Sequence, residues 1–264
     1  MTDTELDGAP VSPEQLLPLG LAPYGHFTSI RIDDRRAKGI GLHLERLARD
    51  CDVVFGAELD TGRVRELARR AVAETSGPLV IRITVFDPAT ELGHPDKASD
   101  PHVLVTKRPA AALPPSPLRA GIVVYERELP EVKHISLFGT MRARREAQQA
   151  GFDDAVFVSS AGYVSEGATW NIGFVRDGEV IWPHARVLPG VTAALLDRVH
   201  PPAEHVMIHR NALSALGDFD AAFATNTSIG VRPIVALDDA EFPADHPVLK
   251  QLAGEYAGIE PESF

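Results

Sequence analysis

Arg108-Pro-Ala-Ala-Ala-Leu-Pro-Pro-Ser-Pro117 is the stretch on which the organisation of this chain turns. Four prolines in ten residues cannot sustain a helix or a central strand, since each lacks an amide donor and fixes its own φ. An extended interdomain linker is therefore predicted over 108–117. It divides the 264 residues into a small domain over 1–112 and a larger one over 118–264.

Before the linker, strand-like and helical patterns alternate. Gly25 to Ile32 reads as a strand followed by a turn at Asp33-Asp34. From His43 to Phe55, apolar Leu44, Leu47, Cys51 and Val54 recur every three to four residues, which predicts an amphipathic helix closed by Gly56. A second helix is predicted from Thr61, as N-cap, to Glu74, with strands over Leu79–Phe86 and His102–Thr106. A small α/β domain results. After the linker, a strand over Gly121–Glu126 and a helix over Phe138–Ala150 lead into short strands at 154–159, 164–168, 171–175 and 179–182. Asp177-Gly178 is the hairpin signal between the last two. A short helix over Val191–Val199 and strands near 221–223 and 232–237 complete the set, and so many short strands suggest a barrel-like domain.

Composition narrows the function. Hydrophobic residues are 44% and charged residues 24%, and the formal net charge is −11, which argues against a general nucleic-acid or anionic-membrane surface. The first twenty residues are acidic and broken by proline, without the features of a signal peptide, so a cytoplasmic location is expected. Cys51, the single cysteine, sits in an apolar stretch and reads as a buried structural thiol. His205 and His209 have a helical metal spacing, but Val206 and Ile208 suit a strand and no third ligand is evident; no metal site is expected.

Only five of the 26 basic residues are lysines. Lys38, Lys97, Lys107 and Lys250 lie in polar or terminal surroundings. Lys133 lies in Leu129-Pro-Glu-Val-Lys-His-Ile-Ser-Leu-Phe138, between apolar residues. Burial there would lower its pKa and make it a Schiff-base nucleophile; a lysine snorkelling from a strand end is the competing reading. Leu188-Pro-Gly-Val-Thr192 is a tight turn into a helix start, where exposed amides suit a phosphate dianion, and Thr225-Asn-Thr-Ser228 offers hydroxyls and amides of the same kind. Glu166 stands in a largely apolar strand, where a carboxylate needs a partner such as a pyridinium N–H, unless it faces the surface.

Taken in order, His43-Leu-Glu-Arg-Leu47, Val132-Lys-His134, Gly151-Phe-Asp-Asp154, Val164-Ser-Glu-Gly-Ala-Thr-Trp-Asn171, Leu188-Pro-Gly-Val-Thr192 and Thr225-Asn-Thr-Ser228 resemble the class IV aminotransferases. These are the fold-type IV pyridoxal 5'-phosphate (PLP) enzymes, which include branched-chain and D-amino-acid aminotransferases and aminodeoxychorismate lyase. The resemblance runs from about Gly25 to Val235, and the 33 residues from Lys133 to Glu166 fit it. It implies an α/β (α+β) fold, with a small α/β domain, a linker and a larger pseudo-barrel domain that together hold the cofactor. It implies that Lys133 carries the Schiff base and moves the proton between Cα and C4′, and that Glu166 holds the pyridine nitrogen. Arg46, Val191, Thr192, Thr227 and Ser228 would hold the phosphate, and Asn171 would support the site. It also implies a homodimer acting on a small amino donor and a keto acid.

The substrate side departs from the pattern. After the strand ending at Phe86 the loop is acidic, Asp87-Pro-Ala-Thr-Glu-Leu-Gly-His-Pro95, where relatives carry arginine or aromatic residues for a carboxylate. Arg82 and His94 are the substitutes on offer, while Tyr24, Phe27 and Arg31 carry no distinct signal. Trp170 is either a pocket wall or an ordinary hydrophobic contact. Transamination is the leading expectation, with a lyase of the aminodeoxychorismate type as its rival and a degenerate, non-catalytic PLP-binding protein behind both.

Overall fold

A computed structural model describes residues 4–200, 204–214 and 218–264. They form two compact units. The first comprises the chain up to Ala111 together with Val132–Ser136 and Glu260–Phe264; the second comprises Ala112–Glu131 and Leu137–Ile259. Among the described residues no helix is long and apolar enough to cross a membrane.

In the first unit the order is β1 (Glu5–Leu6), β2 (Ala9–Pro10), α1 (Pro13–Leu21), β3 (His26–Ile32), β4 (Arg36–Ala37), α2 (Ile40–Phe55), α3 (Thr61–Val72), β5 (Leu79–Phe86) and β6 (His102–Pro109). The sheet runs β2-β1-β6-β5-β3 with every neighbouring pair antiparallel. Period-2 alternation on β5 puts Ile81, Ile83 and Val85 on one face, where they meet Leu44, Leu47 and Cys51 of α2 and Val64, Leu67 and Val72 of α3. Each such fully buried side chain contributes about 1.5–3 kcal/mol by leaving water. Cys51 is buried among them, and burial pushes its thiol up to about 11, so it stays a thiol. The N-cap of α3 is Asp60 rather than the expected Thr61, because the Asp60 carboxylate accepts from Arg63 N–H at 2.9 Å. Helix α2 starts three residues earlier than the periodicity suggests. Its cap, Gly39, is left-handed and has no side chain to offer; instead Glu262 Oε1 accepts from Ile40 N–H at 3.1 Å.

The second unit contains β7 (Leu118–Val124), α4 (Phe138–Gln149), β8 (Asp154–Val158), β9 (Val164–Gly167), β10 (Asn171–Arg176), β11 (Glu179–Pro183), α5 (Val191–Val199), β12 (Glu204–Val206), α6 (Asn211–Ser214), β13 (Ala221–Asn226), β14 (Gly230–Leu237), β15 (Ala240–Glu241) and α7 (Pro247–Gly258). The closing strand β16 (Glu262–Ser263) pairs with β4 in the first unit. Asp177 and Gly178 both take positive φ, 54° and 80°, as the two-residue β10–β11 turn requires.

The second sheet runs β12-β11-β10-β13-β14-β7-β8-β9, with β15 beside β14. The chain steps from β9, at one end, to β10, third from the other end, between Gly167 and Asn171. Four residues reach about 14 Å at full stretch. Five strand spacings in a flat sheet would need about 24 Å. The sheet must therefore curl. Its inner face fills itself, with Val156, Val164, Ile172, Phe174, Ala224 and Ile234 in one cluster. The outer face is covered by α5 and α7 through Leu196, Leu249 and Leu252, and by α4 through Ala143 and Ala147.

Candidate active site

In the first unit the site grows from the polar end of the core. The core-facing residues of β3 read His26, Thr28, Ile30, Ile32, all buried. Against them α2 presents a polar stripe beside its apolar one: His43, Arg46 and Asp50, at i, i+3 and i+7, all buried. Arg46 Nη2 donates to Thr28 Oγ1 at 2.6 Å, and Thr28 Oγ1 lies 2.7 Å from His43 Nδ1. Burial, with Arg46 and Lys133 nearby, holds His43 well below the usual histidine range, so its ring is neutral. Burial also lowers Arg46 to about 10, against the opposing pull of Asp50; the guanidinium remains charged at neutral pH.

Lys133 belongs to this unit because its backbone extends the sheet. Phe27 N–H donates to Lys133 O at 2.9 Å, Ile135 N–H donates to Gly25 O at 3.0 Å, and His26 and His134 form an antiparallel bridge. On its other side, Lys133 N–H donates to Asp50 Oδ2 at 2.9 Å, and Asp50 is itself paired with Arg49 at 2.7 Å. The lysine is thus clamped through its main chain, and its half-buried side chain places Nζ 4.9 Å from the Phe27 ring centroid. Arg82 stacks on the same ring, its guanidinium carbon 3.6 Å from the centroid, and donates to Thr84 Oγ1 at 3.2 Å. Burial lowers the Arg82 pKa. The other substrate-side candidates lie elsewhere: His94 is exposed on its loop, Arg31 pairs with Asp33 at 2.9 Å, and Tyr24 donates to Val54 O.

In the second unit Glu166 faces inward and is 4% exposed. Its Oε1 accepts from Arg127 Nη1 and its Oε2 from Leu188 N–H, both at 3.3 Å. The Arg127 side chain is itself only 10% exposed; a lone buried carboxylate would be far costlier than this pair. The Leu188 peptide is held at both ends, for its carbonyl accepts from Asn171 Nδ2 at 2.9 Å. Gly190, the N-cap of α5, packs so closely on Asn171 that a Cβ there would collide with Asn171 Oδ1. Val191 and Thr192 open the helix and are buried. Across the sheet Asn171 pairs with Thr225. The Thr192 and Thr225 hydroxyls are both buried with no hydrogen-bond partner among the described residues.

The loop after β13 is organised from within. Asn226 Oδ1 accepts from Ser228 N–H at 2.8 Å and Ile229 N–H at 3.1 Å, and Asn226 Nδ2 donates to Thr169 O at 3.0 Å. The Ser228 amide is thereby engaged, and Thr227 and Ser228 are only half-buried. Trp170 is a core contact: it packs over Gly167 and donates to Asp154 Oδ2 at 3.0 Å. His209 meets Tyr163 edge-on at 5.4 Å.

The family model for amino-transferase class IV matches residues 25–237. A probable branched-chain-amino-acid aminotransferase from Rickettsia bellii is 33% identical over 122 residues, and the match spans 44% of this chain and 42% of that protein. The chain thus matches less than half the length of the curated relatives of this kind. The branched-chain aminotransferase of the thermophilic archaeon Thermoproteus uzoniensis, solved with norvaline, shares the fold with a TM-score of 0.85 at 22% identity, over 97% of this chain and 93% of that one. A fold IV-transaminase from Curtobacterium pusillum has a TM-score of 0.77 at 26% identity, covering 91% of this chain and 88% of that one. The fold is thus fold-type IV, as expected. Because the family match runs from the glycine before β3 to the last residue of β14, taking in Arg46, Lys133, Glu166 and Thr192, the chain belongs to the amino-transferase class IV family.

Proposed function

We propose that this protein is a PLP-dependent aminotransferase that moves an amino group from a small amino acid or amine to a keto acid, with Lys133 as the amine that carries the cofactor. The observation that carries this reading is the pair of buried, unpartnered hydroxyls, Thr192 and Thr225, in the unit that also holds the amide-rich start of α5. A buried hydroxyl without a partner costs about 1–3 kcal/mol, and a phosphate oxygen would relieve both. The amides of the first turn add a favourable dipole for an anion. The residues present therefore fit a phosphate-bearing cofactor.

When bound, PLP supplies an electron-withdrawing ring that stabilises negative charge at the substrate Cα. Arg46, Val191, Thr192 and the Thr227–Ser228 loop hold its phosphate. Glu166 keeps the pyridine nitrogen protonated; its oxygens accept from Arg127 and Leu188, and a carboxylate oxygen can accept more than one donor. Lys133 moves the proton between Cα and C4′, its position fixed by Asp50 and β3. Asn171 supports the site by donating to the Leu188 carbonyl. Arg82, stacked beside Lys133 on Phe27, is the side chain for a substrate carboxylate. Relatives that are aminotransferases by name favour transamination over the lyase reading. The working form is a homodimer, which light scattering would report as twice the 28.5 kDa chain mass.

Purified protein with PLP, reduced by borohydride and digested, should carry a pyridoxyl mass label on Lys133. Its visible absorption should change on adding one class of amino donor from a panel that includes branched-chain amino acids and glutamate. No label on Lys133 would refute the proposal; a label without response to any donor would refute transamination alone.

A further inference from the structure

We propose that Thr28 is a positioning residue for Arg46, its hydroxyl forming the middle of a one-way hydrogen-bond chain from the guanidinium to the His43 ring. The proposal rests on the reading of Arg46 as a phosphate ligand.

The direction follows from counting protons. A guanidinium only donates, so at 2.6 Å Thr28 Oγ1 is the acceptor from Arg46 Nη2. His43 Nδ1 lies 2.7 Å from the same hydroxyl and 3.5 Å from Arg46 Nη2, which can only donate. A nitrogen that faces this donor is satisfied as an acceptor, so the hydroxyl proton goes to Nδ1 and the ring proton sits on Nε2. A protonated His43 would turn Nδ1–H toward the hydroxyl and break the chain. Burial of that ring, beside Arg46 on its own helix and Lys133 on the 132–136 segment, keeps it neutral. The chain also spans two elements: α2 supplies both ends and β3 the middle. An arginine has many rotamers, and holding one of its nitrogens fixes where the others point. Thr28 continues a row of core-facing isoleucines, where a hydroxyl has no packing advantage over a methyl. Its oxygen is explained by the two bonds it makes.

The test compares binding of PLP with binding of pyridoxal, which lacks the phosphate. Thr28→Val, close in shape, should weaken PLP binding about tenfold by leaving Arg46 and His43 short of a partner, and should leave pyridoxal binding unchanged. Thr28→Ser should restore wild-type affinity. Arg46→Gln serves as the control on the parent reading. If Arg46→Gln leaves the preference for PLP over pyridoxal intact, the phosphate role of Arg46 fails, and this inference with it. If Arg46→Gln abolishes that preference while Thr28→Val binds PLP like wild type, only the Thr28 role is overturned. Equal weakening of PLP and pyridoxal in Thr28→Val would also overturn it, since the effect would not pass through the phosphate. The wild-type protein offers a second measurement: 15N resonances of His43 should show an unprotonated Nδ1 and a protonated Nε2. A protonated Nδ1 would overturn the chain.

Discussion

Lowering the pH should unfold this protein in part through one ring, that of His26. The ring is 0% exposed, and neither nitrogen has a hydrogen-bond partner among the described residues. Burial pushes its pKa from the usual 6.5 down to about 3. Between those values the unfolded chain binds a proton that the folded chain refuses, so stability rises with pH across that window and falls as pH drops through 6.5. At pH 5 the loss from this group is about 2 kcal/mol, taking 1.36 kcal/mol for each unit of difference in proton affinity. His26→Phe removes the group and keeps a ring beside Phe55, whose centroid lies 6.1 Å away. Urea unfolding of wild type and variant at about pH 7.5 and pH 5 provides the assay. The wild type should lose about 2 kcal/mol more than the variant between the two conditions, while contributions from His43 and the carboxylates cancel in the comparison. Identical losses in the two proteins, or a His26 ring that titrates between pH 7.5 and 5 by NMR, would refute the reasoning.

Three other outcomes are expected. Phe174→Ala empties a fully buried position in the curled sheet and should cost about 3–5 kcal/mol, read by chemical unfolding. Glu262→Ala removes the acceptor that caps α2 from the far end of the chain and should cost about 1 kcal/mol, with the loss appearing as faster amide exchange at the first turn of that helix. Gly190→Ala should drive Asn171 off the Leu188 carbonyl; PLP titration should report several-fold weaker binding, and wild-type affinity would contradict the packing described.

How far the sequence can be read depends on how local each signal is. Helix α2 is legible because Leu44, Leu47, Cys51 and Val54 recur at helical spacing, with Arg46 marked only by the family resemblance, and the Asp177-Gly178 turn because two positive φ angles demand those residues. Lys133 stands out by elimination among five lysines, and Glu166 by its apolar neighbours; the inward burial of Glu166 follows. Asp50 carries no such signal, and its place on the buried face with His43 and Arg46 emerges only from the structure. Nor does Arg127 carry one: its partner is 39 residues away, and nothing in its own neighbourhood marks it as buried. Thr225 is harder to pick out than Thr227 and Ser228 because a strand end looks less like a ligand than a loop does. Helix α1 hides behind an internal proline, Pro18, and α7 shows no strong amphipathic stripe, with only Leu249 and Leu252 buried. The first unit's hold on Val132–Ser136 rests on main-chain bonds to β3, which no side-chain pattern announces.

That ownership of Val132–Ser136 bears on how the protein is made. A ribosome emits the first unit's sheet, then a stretch of the second unit, then five residues that return to the first, and only at the last the strand that pairs with β4. During synthesis the first unit waits with one edge of β3 unzipped, and its α2 start uncapped until Glu262 emerges. The exposed strand edge is the kind of template that other nascent chains can join. Expression at low temperature, or with a chaperone that shields such edges, should therefore raise the soluble yield.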